Sequence, residues 1–358
     1  MSRTRSSIRR RVLLAAAITA TCALGPAGTA TATAAAPAKV HTLQASYTVD
    51  SAELGKGLYQ SAYSARNNVL WVTSSVGYPP VTQTQLLKVD PATLKVKAAY
   101  TPPLKDEATG AREAVYGVAV DDVHNTVWTT NTLDNSLAVY SQRTGEHLAS
   151  LPGVKHARDV VVDQQRNLAW TAGLEDGSIV AFDTRTYQEK KRVTVPGAAP
   201  AGVAVDERTG TVYAADLTNG QLIEVSAASS TPRLIPAGKG TIDVALSADG
   251  RTAYAANLTS GSLAVIDLRA GVVRKEIATG AGALAVATDA CTGNVFVANR
   301  ESGTTSVVDP RKGVVLANLA TGANTDHVVV TRGTAYVVDK AEVGAEAMDS
   351  IHRIRATG

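Results

Sequence analysis

The sequence predicts an all-β fold, a seven-bladed propeller of four-stranded blades. Three observations carry that prediction: an aromatic residue that returns about every 40 residues, short apolar strands around it, and turn residues between the strands. The aromatic slot holds Trp71, Trp128, Trp170, Tyr213, Tyr254, Phe296 and Tyr336, at intervals of 57, 42, 43, 41, 42 and 40 residues. Seven slots mean seven blades, and this spacing of short strands argues against a sandwich or a helical solenoid. Residues 250–280, GRTAYAANLTSGSLAVIDLRAGVVRKEIATG, show one complete unit.

A second slot checks the first. Twelve residues after the aromatic, five blades carry an apolar residue followed by Asp or Ser: Tyr140-Ser141, Phe182-Asp183, Val225-Ser226, Ile266-Asp267 and Val308-Asp309. In the first and last blades the equivalent residues, Val89 and Ile354, follow their aromatics by eighteen, so six extra residues are expected between the second and third strands. The innermost strands, GVAVD at 202–206 and DVALS at 243–247, are rich in Ala and Val, as befits strands that converge on an axis. Residues 41–49, HTLQASYTV, alternate like a strand but belong to no complete repeat, and the sequence stops four residues after Ile354. The N-terminal strand is therefore expected to complete the last blade and close the ring. Residues 41–358 then form a single domain.

Residues 1–38 read as a secretory signal peptide, removed on export by the Sec or the twin-arginine route, which places the mature protein outside the cytoplasm with no membrane span. They hold Arg3, Arg5, Arg9, Arg10 and Arg11, an apolar run from Val12 to Leu24, and small-residue patterns that put cleavage between Ala32 and Ala38. Removing these five arginines leaves 30 Lys and Arg against 32 Asp and Glu, so the formal charge falls from +3 to −2. That balance argues against a non-specific polyanion binder. Cys22 is incidental to the apolar run, and Cys291 has no partner for a disulfide; it is expected to be an exposed thiol in a turn. A monomer is expected.

AYAANLTSGSLAVIDLRAGVV and VFVANRESGTTSVVDPRKGVV are similar to the YVTN repeat. GKGLYQSAYSARNNVLWVTSS, the long first blade and the ending DSIHRIR resemble the YncE-like group of exported seven-bladed propellers. The resemblance covers residues 41–358 and implies the fold. It also implies an association with single-stranded DNA, to be weighed against other ligands.

Three additions to the regular repeat, the two long hairpins and about nine extra residues in TPPLKDEATGAREAVYG, fall in loops that open on one face, in three consecutive blades. That face is expected to carry the ligand or partner site, and the short turns opposite it to carry no chemistry. The residues entering the innermost strands face the channel mouth: Tyr59 and Gln60, Tyr116, His156, Arg158 and Asp159, Asp243, and Asp326 with His327. Gly202 and Ala285 occupy the equivalent places in blades four and six. Three readings follow. The set binds an unknown protein or a small polar molecule; or Asp159, Asp243 and Asp326 hold a divalent cation such as Ca²⁺ or Mg²⁺; or each polar residue only bonds an amide of its own turn. No cofactor is otherwise expected.

For single-stranded DNA, the stacking surfaces would be Tyr59, Tyr78 and Tyr116, with Arg112, Arg158, Arg300 and Lys340 as phosphate contacts. The aromatic slots themselves are expected to pack between blades, and the short polar residues three positions after them to cap turns. No GxSxG, P-loop, HExxH or paired-Cys motif occurs, and the GxGxxA of Gly280–Ala285 lies in an inter-blade turn with no following helix. A metal-dependent hydrolase or lyase using His327 is the remaining enzymatic reading, ranked below a binding module.

Overall fold

The computed structural model describes residues 46–226, 228–229, 231–341 and 347–357. The expected signal peptide, its cleavage site and residues 41–45 of the closing strand lie outside these. Seven antiparallel sheets of four strands each follow one another along the chain. In blade 3 the strands run outward as Ala157–Asp163, Leu168–Gly173, Ser178–Asp183 and Glu189–Thr194. Blade 7 breaks this order. Its inner three strands, Asn324–Thr331, Thr334–Lys340 and Asp349–Thr357, are completed by Ser46–Gly55 from the opposite end of the chain.

That closing strand pairs with the last one from Ser46 opposite Thr357 to Gly55 opposite Asp349, with one irregularity near its end. Asp50 reinforces the pairing by accepting from Arg353 at 2.7 Å and Arg355 at 2.9 Å. The expected boundary, 41–49, ends six residues too early. Its second half, SAELG, still alternates, with Ala52 and Leu54 packed against the core between blades 7 and 1 and Ser51 and Glu53 facing water.

The core is divided into wedges, one between each pair of neighbouring blades. Trp170 packs with Val203, Val212 and Ile223 of blade 4, and Tyr336 packs with Leu70, Val72 and Leu87 of blade 1. Every aromatic slot thus fills the seam with the next blade, which confirms packing rather than an open stacking surface. Trp71, Trp128 and Trp170 are completely buried. Truncating such a residue to Ala costs about 3–5 kcal/mol.

The spacing rule of the second slot is a register rule. Phe182 sits opposite Ala169, Val225 opposite Val212, and the displaced Val89 and Ile354 keep the same relation to Leu70 and Ala335. The extra residues are therefore extruded into the connecting loops without shifting the ladder. The Asp of the motif caps the outer hairpin: Asp183 Oδ1 accepts from the amides of Arg185 and Thr186, both at 2.9 Å. Asp309 does the same for Arg311 and Lys312 at 3.0 Å.

The insertion before blade 2 folds a short hairpin, Leu104–Asp106 against Ala111–Arg112. It lies on the long hairpin of blade 1. The Arg112 amide donates to the Val81 carbonyl at 2.9 Å, and Ser75 Oγ to the Val115 carbonyl at 2.8 Å. The additions accordingly thicken one sector of one face. On the opposite face, basic side chains bind the carbonyls of the next blade's turns. Arg208 reaches Asp249 at 3.0 Å, Arg233 reaches Leu268 at 2.8 Å, and Arg166 spans Glu207 and Arg208.

Candidate functional site

The innermost strands begin with an irregularity that opens the ladder. In blade 5 Thr241 pairs with Asn257 and Asp243 with Ala256, so one residue is skipped; blades 1, 3, 4, 6 and 7 slip at the same place. A bulge of this kind frees backbone amides toward the axis, where something must accept from them. The residues at this position are Gln60, Gly117, Asp159, Gly202, Asp243, Ala285 and His327 in blade order. Long polar side chains alternate with residues that have little or no side chain.

The long ones bind across to the following blade. Gln60 Oε1 accepts from the Val118 amide at 3.1 Å, Asp159 Oδ2 from Val203 at 3.0 Å, Asp243 Oδ2 from Val286 at 2.8 Å, and His327 Nδ1 from Ser61 at 3.3 Å. Asp243 also accepts from its own neighbour, Val244, at 2.8 Å through Oδ1. The small residues make the room. A Cβ on Gly202 would lie 2.2 Å from Asp243 Oδ1 and 2.7 Å from its Cα, and one on Gly117 would lie 3.2 Å from Gln60 Oε1. The amide-bonding reading is therefore realised, but between blades as well as within the turn.

Above this belt lies a cavity of about 610 Å³ lined by all seven blades. Tyr59, Gln60, Tyr116, His156, Arg158, Asp159, Asp243, Asp326 and His327 all line it, as do Gly202 and Ala285. Tyr78, Arg300 and Lys340 line it too. Arg112 does not; its guanidinium instead donates to the Pro102 carbonyl at 3.0 Å within its own insertion. Sequence reasoning missed Leu133, Val76 and Asp349, which lie in or flank the second-to-third-strand connections rather than at the starts of innermost strands. Asp349 accepts from the Leu58 and Ala341 amides at 2.7 and 3.0 Å, and so anchors the blade 7 loop to blade 1.

The electrostatics follow from depth. Burial raises Asp159 and pushes Asp243 up to about 7, with the nearby Asp159 charge as the next cause. Burial also raises Asp326, against the pull of Arg300, whose Nη1 is 3.2 Å from Asp326 Oδ1, and of Lys340 and Arg158. Charge neighbours of Asp326 are thus cations and Asp349, whereas Asp159 acts on Asp243. Among the described residues no group of three or more His, Cys, Asp or Glu is arranged to hold a metal ion. Burial lowers His327 to about 4, so its ring is neutral and its Nδ1 is the acceptor for Ser61. His156, lowered chiefly by burial, stands 3.4 Å from the Glu175 carboxylate.

Three of the four cations expected to meet phosphates are already engaged. Arg112 and Arg300 are described above, and Lys340 donates to the Leu58 carbonyl at 2.7 Å while lying 3.4 Å from the centre of the Tyr59 ring. Arg158 differs. It has no ion pair and its guanidinium no hydrogen bond among the described residues, although its field reaches Asp159, Asp243 and Asp326. Tyr59 and Tyr116 meet edge to face with centroids 4.6 Å apart, and burial raises both hydroxyls. Tyr78 is 88% exposed at the rim.

No protein-family model matches the chain. It is 29% identical over 93 residues to the uncharacterized protein YncE of Escherichia coli strain K12, a match covering 26% of this chain and 24% of that protein. To YncE of Salmonella typhi it is 25% identical over 244 residues, covering 63% of this chain and 66% of the relative. The matched segments thus span about a quarter of the first protein's length and just under two thirds of the second's. Among solved structures, a chain of Kuenenia stuttgartiensis hydrazine synthase superposes with a TM-score of 0.66 at 14% identity, covering 79% of this chain and 92% of that one. That likeness concerns the fold alone. With seven four-stranded blades, a ring closed by strands from both ends of the described chain and these sequence matches, the chain is a seven-bladed propeller similar to the YncE proteins.

Proposed function

We propose that this propeller is a binding module that takes a small polar ligand in the cavity at its elaborated mouth. One observation carries the reading: residues of all seven blades converge on a single space of about 610 Å³, and the Arg158 guanidinium stands in it with no ion pair or hydrogen bond among the described residues. The volume is within the range of about 300–1,000 Å³ that holds small organic ligands. The arginine-rich, apolar start of the sequence supports work outside the cytoplasm, on a ligand met there.

Single-stranded DNA is supported less well, because Arg300 is tied to Asp326, Lys340 to Leu58, and Arg112 lies outside the cavity. Thermal denaturation of the protein against small polar molecules, oligonucleotides and divalent cations tests the reading. A ligand at 100 times its Kd adds about 2.7 kcal/mol to stability. Stabilisation by small molecules, lost when the mouth is stripped of its donors by Tyr116→Ala plus Arg158→Glu, is expected. Stabilisation by oligonucleotides alone, fading steeply with salt, would replace this reading with the nucleic-acid one.

A further inference from the structure

The cavity's donors and acceptors are unequally used. Its carboxylates all have partners: Asp243 accepts from two backbone amides, Asp349 from two, and Asp326 is paired with Arg300. Asp159 accepts from Val203 and from its own neighbour Val160. The donors do not. The Arg158 guanidinium and the hydroxyls of Tyr59, Tyr78 and Tyr116 have no acceptor among the described residues, although all four line the same space. A site whose acceptors have partners and whose donors do not favours a ligand rich in acceptors. A planar guanidinium further favours a planar, two-oxygen anion, which it can grip with two parallel bonds.

The remaining walls are apolar. Ile242 and Leu284 stand at the same register as Arg158, on the blade 5 and blade 6 side, and Leu133, 37% exposed, and Val76 close the rim. Together with the tyrosine rings they would cover a hydrocarbon or aromatic body extending from the anionic end. We propose that the ligand is a small organic monocarboxylate with an apolar body, its carboxylate on Arg158 and the tyrosine hydroxyls. This rests on the mouth being the binding site, as proposed above, and names the chemistry that the site selects.

Isothermal titration calorimetry with matched probes tests it: hexanoate and 4-phenylbutyrate, their carboxamides, and the primary amines of equal length. The expected result is that the carboxylates bind at least about tenfold more tightly than the carboxamides, and the amines not at all. Arg158→Ala should abolish that preference, and Arg158→Lys should keep part of it, since a point charge replaces a fork. Thermal melts of both variants check that they remain folded. A preference that survives Arg158→Ala, or amines that bind as tightly as the carboxylates, would overturn the assignment. Amine or amide binding that Tyr116→Ala removes would overturn only the carboxylate assignment and leave the mouth as the site. An absence of heat from every probe would overturn the assignment, while the broader screen described above decides the fate of the site.

Discussion

The two faces of the ring treat polar groups differently. On the short-turn face every Asp of the repeat caps its own hairpin, and basic side chains cross to carbonyls of the next blade, as Arg166 and Arg233 do. At the mouth the carboxylates are satisfied by amides that the bulges expose, yet Arg158 and three tyrosine hydroxyls have no protein acceptor among the described residues. The contrast separates residues that hold blades together from residues left over for a ligand. Both kinds are polar, so composition does not distinguish them; bonding partners do.

The largest expected effect tests what both faces share. Deleting residues 46–55 would strip blade 7 of its outer strand and the ring of its closure, so urea denaturation should show loss of the single cooperative transition rather than a small shift in midpoint. Next comes a matched pair of glycines. Gly202→Ala drives a Cβ against the side chain and backbone of Asp243 and should cost about 1–3 kcal/mol or more. On the short-turn face Gly293→Ala meets nothing closer than an Arg311 nitrogen at 4.0 Å, so only the left-handed backbone, φ +75°, is penalised, by about 1–2 kcal/mol. Equal losses in denaturant midpoints would remove the claim that small residues at the mouth exist to admit their neighbours.

A carboxylate from each face gives opposite pH dependences. Asp243, raised to about 7, binds its proton more tightly folded than unfolded, so its contribution is full below pH 4 and is lost as pH rises through 7. Asp183 behaves in reverse. Burial alone would raise it, but the amides of Arg185 and Thr186 prevail and hold it at about 2, so its contribution is lost as pH falls from 4 to 2. Melting temperatures across pH 2–9 should show Asp243→Asn flattening the alkaline side and Asp183→Asn the acid side. Asp243→Asn should also lower stability at every pH, because a carboxamide has one oxygen for two amide donors.

The smallest effect is the most telling. Arg158→Ala should change stability by no more than about 0.5 kcal/mol, as for a side chain that makes no hydrogen bond or ion pair among the described residues. Arg166→Ala, which removes bonds to Asp163 and to the Glu207 and Arg208 carbonyls, should cost about 1 kcal/mol or more. A large loss at Arg158 would mean that it, too, is structural.

Much of this architecture was legible because the repeat encodes it twice, in the aromatic slot and in the apolar residue that pairs beside it. Val89 and Ile354 located both long hairpins for the same reason, since a conserved ladder register turns extra residues into loop. The closing strand was ended too early because its second half turns only Ala52 and Leu54 to the core, too short an alternation to mark a strand by itself. Mouth residues such as Asp159 and Asp243 could be named from their place at the start of a strand, but their partners could not. The bulge that exposes the Val203 and Val286 amides leaves no mark in residue type. Arg112 was wrongly assigned to the mouth because its insertion turns back onto the blade 1 hairpin, a tertiary event. One readable signal was passed over: the long and small residues alternate at a fixed eleven positions before the aromatic in six blades.

That alternation has a consequence of parity. A two-state pattern closes without fault only on an even-membered ring, and this ring has seven members. Somewhere two residues of the same kind must be neighbours, and they are His327 and Gln60, on either side of the joint between the chain's ends. Blade 1 alone both receives a cross-bond, at Ser61, and sends one, to Val118. An eighth wedge spliced in beside it would relieve the mismatch, and with it the local break in symmetry that gives the mouth distinguishable sides.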